Sequence, residues 1–110
     1  YMPKVTRQTE SYREGLLESL KDPEAAAQYL TACLEDRDPR VFLMALRDVA
    51  GARGGLRKLS SDAGLNRESL YRMLSKAGNP SLASLAAVLH SVGLSLSVRS
   101  SAPKRKRRAA

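Results

Sequence analysis

The sequence predicts an all-α fold: a bundle of about six helices with a helix-turn-helix and one short C-terminal strand. Apolar residues recur at helical spacing over most of the chain. Proline pairs and glycines separate these stretches in the manner of helix start and stop signals. Aromatic residues make up only 5% of the 110 residues and Trp is absent, so we expect a core built mainly from Leu, Ala and Val.

Each predicted helix begins or ends at one of these signals. Asp22-Pro23 and Asp38-Pro39 place a capping carboxylate before a proline at the first helical position, and Asn79-Pro80-Ser81 is a third start of this kind. Glycines are predicted just past helix ends, where the left-handed backbone favours them; these are Gly54, Gly55, Gly78 and Gly93.

The resulting elements follow in chain order. Helices are predicted at residues 11–20, 23–36, 39–53, 56–63, 67–77 and 81–92. After Gly93 the period changes to two, which predicts a strand at 94–99. The residues predicted to face inward include Tyr12, Leu16, Leu17, Leu20, Ala26, Tyr29, Leu30, Cys33, Leu34, Phe42, Ala45, Leu46, Val49, Leu82, Leu85, Ala86, Leu89 and Val92.

A helix-turn-helix is predicted around Gly64. Ser60 is small where two helices would cross closely, Leu65 would enter the core after the turn, and Asn66 would cap the second helix. That helix would bury Leu70 and Met73. An outward row of short polar and arginine side chains on such a helix suits the DNA major groove.

The predicted DNA-binding residues lie on this second helix. Arginine can bind guanine, asparagine can bind adenine and glutamate can accept from cytosine, so base contacts are predicted from Asn66, Arg67, Glu68, Arg72 and Ser75. Phosphate contacts, which set register without reading sequence, are predicted from Ser69, Tyr71 and Lys76. The alternative is a purely structural helical hairpin with a solvated polar face.

Charge is unevenly distributed along the chain. The formal net charge is +8, of which residues 104–108 supply +5 and the remaining residues +3. We expect a flexible N-terminus at 1–10, one domain at 11–99, with N-terminal helices 11–36 and a core at 39–92, and a disordered basic tail at 100–110. A solvated tail is the first interpretation, and an arm that contacts DNA is the alternative.

Several other kinds of site lack support in the sequence. Cys33 is the only cysteine, so no disulfide can form within the chain, and His90 has no companions at ligand spacing. We expect no metal, no cofactor and no enzymatic activity. No apolar run approaches the length of a membrane span, and no signal peptide is found, so a cytoplasmic protein is expected.

The predicted strand has no partner in its own chain. A second copy would supply one, which predicts a homodimer formed partly through residues 94–99.

Three blocks of sequence together resemble the probable addiction-module antidote family. They are Asp38–Gly54, Gly64–Ser75 and the pair Gly78-Asn79-Pro80 with Gly93–Val98. The similarity spans about residues 10–99 and is to HigA-type antitoxins with an Xre/Cro-like helix-turn-helix. It implies an antitoxin that binds a RelE/ParE-like toxin and, as a dimer, represses its own operon by binding operator DNA. It also implies a recognition helix at 67–75.

Two alternatives remain open. One is a stand-alone transcriptional repressor without a toxin partner, and the other is a toxin-binding module that binds DNA negligibly. If there is a toxin, the N-terminal helices at about 11–36 are predicted to bind it, because their apolar stripes lie outside the minimal DNA-binding core.

Overall fold

The computed structural model describes residues 7–75 and 77–101. Within them the protein is all-helical, as predicted, with six helices: α1 (Arg7–Ser19), α2 (Pro23–Leu34), α3 (Pro39–Ala52), α4 (Gly55–Ala63), α5 (Arg67–Met73) and α6 (Leu82–Ser91). No helix among the described residues is long and apolar enough to cross a bilayer.

Capping side chains start the helices at the predicted positions. The Asp22 carboxylate accepts from the Ala25 N–H, the Asp38 carboxylate accepts from the Arg40 N–H, and a proline follows each cap. Ser81 caps α6 by accepting from the Ser84 N–H. Each capping side chain accepts a hydrogen bond from a first-turn N–H that has no acceptor within its own helix. This contact fixes where the helix begins.

Helix boundaries differ from the predictions mainly at the two ends of the chain and at α5. α1 begins at Arg7, inside the segment predicted to be a flexible N-terminus. α5 ends at Met73 rather than 77, because Leu74 leaves helical geometry at φ −96° and ψ 26°. The rest of the predicted N-terminus, 1–6, and most of the predicted tail, 102–110, lie outside the described residues.

The core is formed by all six helices and contains no buried polar residue among those described. α2 packs most extensively on α3, and α4 packs on both α5 and α6. The largest fully buried side chains are Leu20, Leu46, Val49, Leu70, Leu74 and Val88. Because Leu20, Ala26 and Leu30 belong to this core, α1 and α2 are integral to the domain and are not an addition to a smaller one.

Some residues predicted to face inward are exposed. Tyr12 is 74% exposed, Leu34 56% and Leu82 71%, and Ala86 also faces solvent. Leu34 is the last residue of α2 and Leu82 the first of α6, whereas Tyr12 lies in the middle of α1 on a face that no described helix covers. The inner face of α6 is formed by Leu85, Val88, Leu89 and Val92.

The predicted strand at 94–99 is wrong for the single chain. Gly93 turns the backbone at φ 82°, and the Leu94 N–H donates to the Leu89 carbonyl at 2.8 Å. Residues 94–101 then follow without regular structure, since no neighbouring segment of the described chain offers a hydrogen-bonding ladder.

Candidate nucleic-acid interface

A tight turn joins α4 to α5. Gly64 adopts φ 68°, a conformation that favours glycine, and its N–H donates to the Ser61 carbonyl. The Ser60 hydroxyl donates to the Leu65 carbonyl at 2.6 Å, while the Leu65 N–H donates to the Ser60 carbonyl at 3.1 Å. Ser60 and Leu65 are therefore paired across the turn by one side-chain and one backbone hydrogen bond.

Asn66 starts α5 as predicted. Its side-chain oxygen accepts from the Glu68 N–H at 2.8 Å and the Ser69 N–H at 3.1 Å. On the inner side, Leu70 and Met73 are buried. The seven-residue helix is thus fixed at its start by a cap and along its inner face by packing.

The outer face of α5 carries the side chains predicted to read DNA. Arg67, Glu68, Ser69 and Arg72 are exposed, and Tyr71 is 43% exposed. Neither Arg67 nor Arg72 forms an ion pair with a described carboxylate. Their guanidinium groups are therefore available to a ligand without first breaking an internal salt bridge.

Two predicted contact residues differ from this pattern. Ser75 is half-buried, and its hydroxyl donates to the Arg72 carbonyl at 2.7 Å, so it closes the end of α5. Lys76 lies outside the described residues. A groove of about 320 Å³ runs beside α5 and is lined partly by Ser69, Arg72, Asn79 and Ser84.

The two halves of the chain have opposite charge. Residues 7–52 contain six Lys and Arg and nine Asp and Glu, a net charge of −3. Residues 53–101 contain seven Lys and Arg and two Asp and Glu, a net charge of +5. The segment that carries α5 is thus suited to a polyanion, whereas α1 to α3 are suited to a cationic partner. This division can be read from the sequence, but the sequence prediction considered only the basic tail.

Cys33 of α2 and Asp38, the cap of α3, have shifted pKa values. Cys33 is half-buried on α2, and burial raises the pKa of its thiol. Hydrogen bonds from Arg40 lower the pKa of Asp38, which is partly exposed. Within 7–75 and 77–101, no three His, Cys, Asp or Glu side chains are grouped to hold a metal ion.

Comparisons with known proteins place the whole folded region in one family. A family model described as "Probable addiction module antidote protein" matches residues 10–100. An uncharacterized protein of Haemophilus influenzae is 36% identical over 84 residues, covering 76% of this chain and 86% of that protein. No solved structure matches.

Proposed function

The chain belongs to the probable addiction module antidote family, and from this membership we propose that it is the antitoxin of a toxin–antitoxin pair. It neutralises a RelE/ParE-like toxin and, as a homodimer, represses its own operon. The antidote role follows from the family. The toxin class, the operator and the homodimer belong to the proposal.

The outer face of α5 is the observation that supports DNA binding. It presents two arginines that form no ion pair with a described carboxylate, beside Asn66 and Ser69, on a seven-residue helix fixed at its start and on its inner face. Such a helix can enter the major groove, where arginine binds guanine O6 and N7. The remaining positive charge of residues 53–101 would attract the phosphate backbone and give a salt-dependent affinity.

The proposed function is tested by co-expression with the product of the reading frame next to this gene. We expect the chain to restore growth inhibited by that product, to purify with it, and to shift DNA from its own promoter. Promoter binding without rescue would favour the stand-alone repressor. Rescue without any salt-dependent DNA shift would favour a toxin-binding module.

Dimerisation is predicted to depend on the segment after α6. Leu96 is 42% exposed and Val98 is 98% exposed, so both would leave water if a second copy paired with 94–99. Two copies would then present their α5 helices to half-sites about 34 Å apart. Val98→Asp should weaken the dimer without affecting the fold of one chain, as measured by sedimentation at micromolar concentration.

A matched control is available on α6. Leu82 is 71% exposed and lies at the opposite end of that helix from the C-terminal segment, so Leu82→Asp should leave the dimer unchanged. A monomeric wild-type protein, or equal effects of the two variants, would rule out this interface.

The prediction that the toxin binds the N-terminal helices needs surface variants to test it. A chain starting at Asp38 would lack Leu20, Ala26 and Leu30 and would expose their core partners. Its failure to rescue growth would therefore report unfolding. Substitutions of side chains that are already exposed in the folded protein test toxin binding without unfolding the chain.

A further inference from the structure

One carboxylate joins the three N-terminal helices. Asp48 of α3 accepts from the Arg13 guanidinium of α1 at 3.1 Å through Oδ1, and from the Tyr29 hydroxyl of α2 at 3.0 Å through Oδ2. The Asp48 side chain is only 20% exposed, whereas that of Arg13 is 60% exposed. Burial, together with the hydrogen bond to Asp48, raises the pKa of Tyr29 to about 12, so the phenol remains a neutral donor.

A groove of about 500 Å³ between α2 and α3 reaches this carboxylate. Its α3 wall is the helical stripe Val41, Met44, Ala45 and Asp48, and Cys33 and Tyr29 of α2 form the other wall. Val41 is 37% exposed although it is apolar. On α1, Tyr12 is 74% exposed and is adjacent in sequence to Arg13. The groove therefore combines apolar walls with two carboxylates, of which Asp48 is the more buried.

The two acids of the groove differ in what they can offer a ligand. Asp38 is bound by its near neighbour Arg40, whose guanidinium donates to both carboxylate oxygens, with a shortest distance of 2.7 Å. Asp48 instead takes its cation from a different helix through a single guanidinium nitrogen. The Arg13 end of this ion pair is 60% exposed and makes one contact, so the pair contributes little stability and Arg13 can be displaced. A half-buried carboxylate is costly to leave unpaired, so a cation that replaces Arg13 is favoured.

We propose that this groove is the toxin-docking site, and that an arginine or lysine of the toxin takes the place of Arg13 on Asp48. Apolar side chains of the same toxin segment would cover Val41 and Met44. The net charge of −3 over residues 7–52 complements a cationic partner. This inference rests on the proposed antitoxin function and names the surface and the chemistry of its partner.

The test uses the purified product of the neighbouring reading frame as the probe and the full chain as the receptor. Asp48→Asn keeps the size of the side chain and removes its charge, and we expect it to weaken binding about tenfold or more. Val41→Asp places a charge in the groove at an already exposed position and should also weaken binding. Arg13→Ala removes the internal competitor and should leave binding unchanged or tighter.

Two controls separate docking from folding and from the proposed function itself. Leu82→Asp, on α6, should bind the toxin as wild type does. The Asp48, Val41 and Leu82 variants should retain their melting temperatures, Arg13→Ala should lower it because Asp48 loses its cation, and all four should retain operator affinity. If the wild-type chain does not bind the probe, the proposed function fails.

Three results with a working wild-type complex would overturn the inference. The first is near wild-type binding by both the Asp48 and the Val41 variants. The second is an Arg13→Ala variant that loses as much affinity as Asp48→Asn, which would make Arg13 itself the contact. The third is that the Asp48 and Val41 variants change the oligomeric state of the chain, as measured by sedimentation, but bind the toxin as wild type does. That result would assign the groove to a second copy of the chain.

Discussion

Arg72→Ala is expected to weaken operator binding by about 1–3 kcal/mol, and Arg67→Ala by a similar amount. Both side chains are exposed on the outer face of α5 and carry no ion pair with a described carboxylate. Truncation would therefore remove the proposed contact to DNA without removing an ion pair that supports the fold. An arginine that reads a base should also lose discrimination at one base pair, whereas one that binds phosphate should lose affinity for every sequence.

The measurement is a titration of the operator and of a set of single base-pair variants at constant salt concentration. Arg47→Ala is the matched control, since Arg47 is exposed on α3 within the acidic half of the chain. It should change operator affinity little. If both α5 variants bind the operator as tightly as wild type does, α5 is not the recognition helix.

Local chemistry explains why the helix starts were predictable. Asp22, Asp38, Asn66 and Ser81 each accept from an N–H within three residues, so sequence neighbours alone determine the cap. The outward row on α5 was predictable for the same reason. Leu70 and Met73 define an inner face, and the helical period places Arg67 and Arg72 outside it.

Contacts between distant residues were not predictable in this way. Arg13, Tyr29 and Asp48 lie on three different helices, and nothing in the local pattern around any of them indicates the other two. The alternation at 94–99 forms no strand within the described chain for a related reason. A strand requires a partner segment, and period-two spacing describes only one side of that pair.

Gly78 does not have the role predicted for it, because α5 already ends at Met73. The sequence suggests a glycine that ends a helix with a left-handed backbone, and Gly54, Gly55 and Gly93 have positive φ values as expected. Gly78 is not among the positive-φ glycines. A Cβ at this position would instead collide with the carbonyl of Met73, the last residue of α5, and would lie 3.1 Å from the carbonyl oxygen of Arg72.

Gly78→Ala is therefore expected to destabilise the protein by about 1–3 kcal/mol, because the added methyl group meets backbone atoms that cannot rotate away. The end of α5 must shift to admit it, so operator affinity should fall as well. Gly51→Ala is the matched control: Gly51 is exposed near the end of α3, and no atom beyond its chain neighbours and its own helix backbone lies within 4 Å of its added Cβ. In a helix, alanine at such a position should stabilise by about 0.5–1 kcal/mol. In urea unfolding, Gly78→Ala should therefore lower the midpoint relative to wild type, and Gly51→Ala should raise it. Equal midpoints for the two variants would mean that the backbone around Gly78 can shift at little cost in stability. The close approach to the end of α5 would then not be the reason that position 78 holds a glycine.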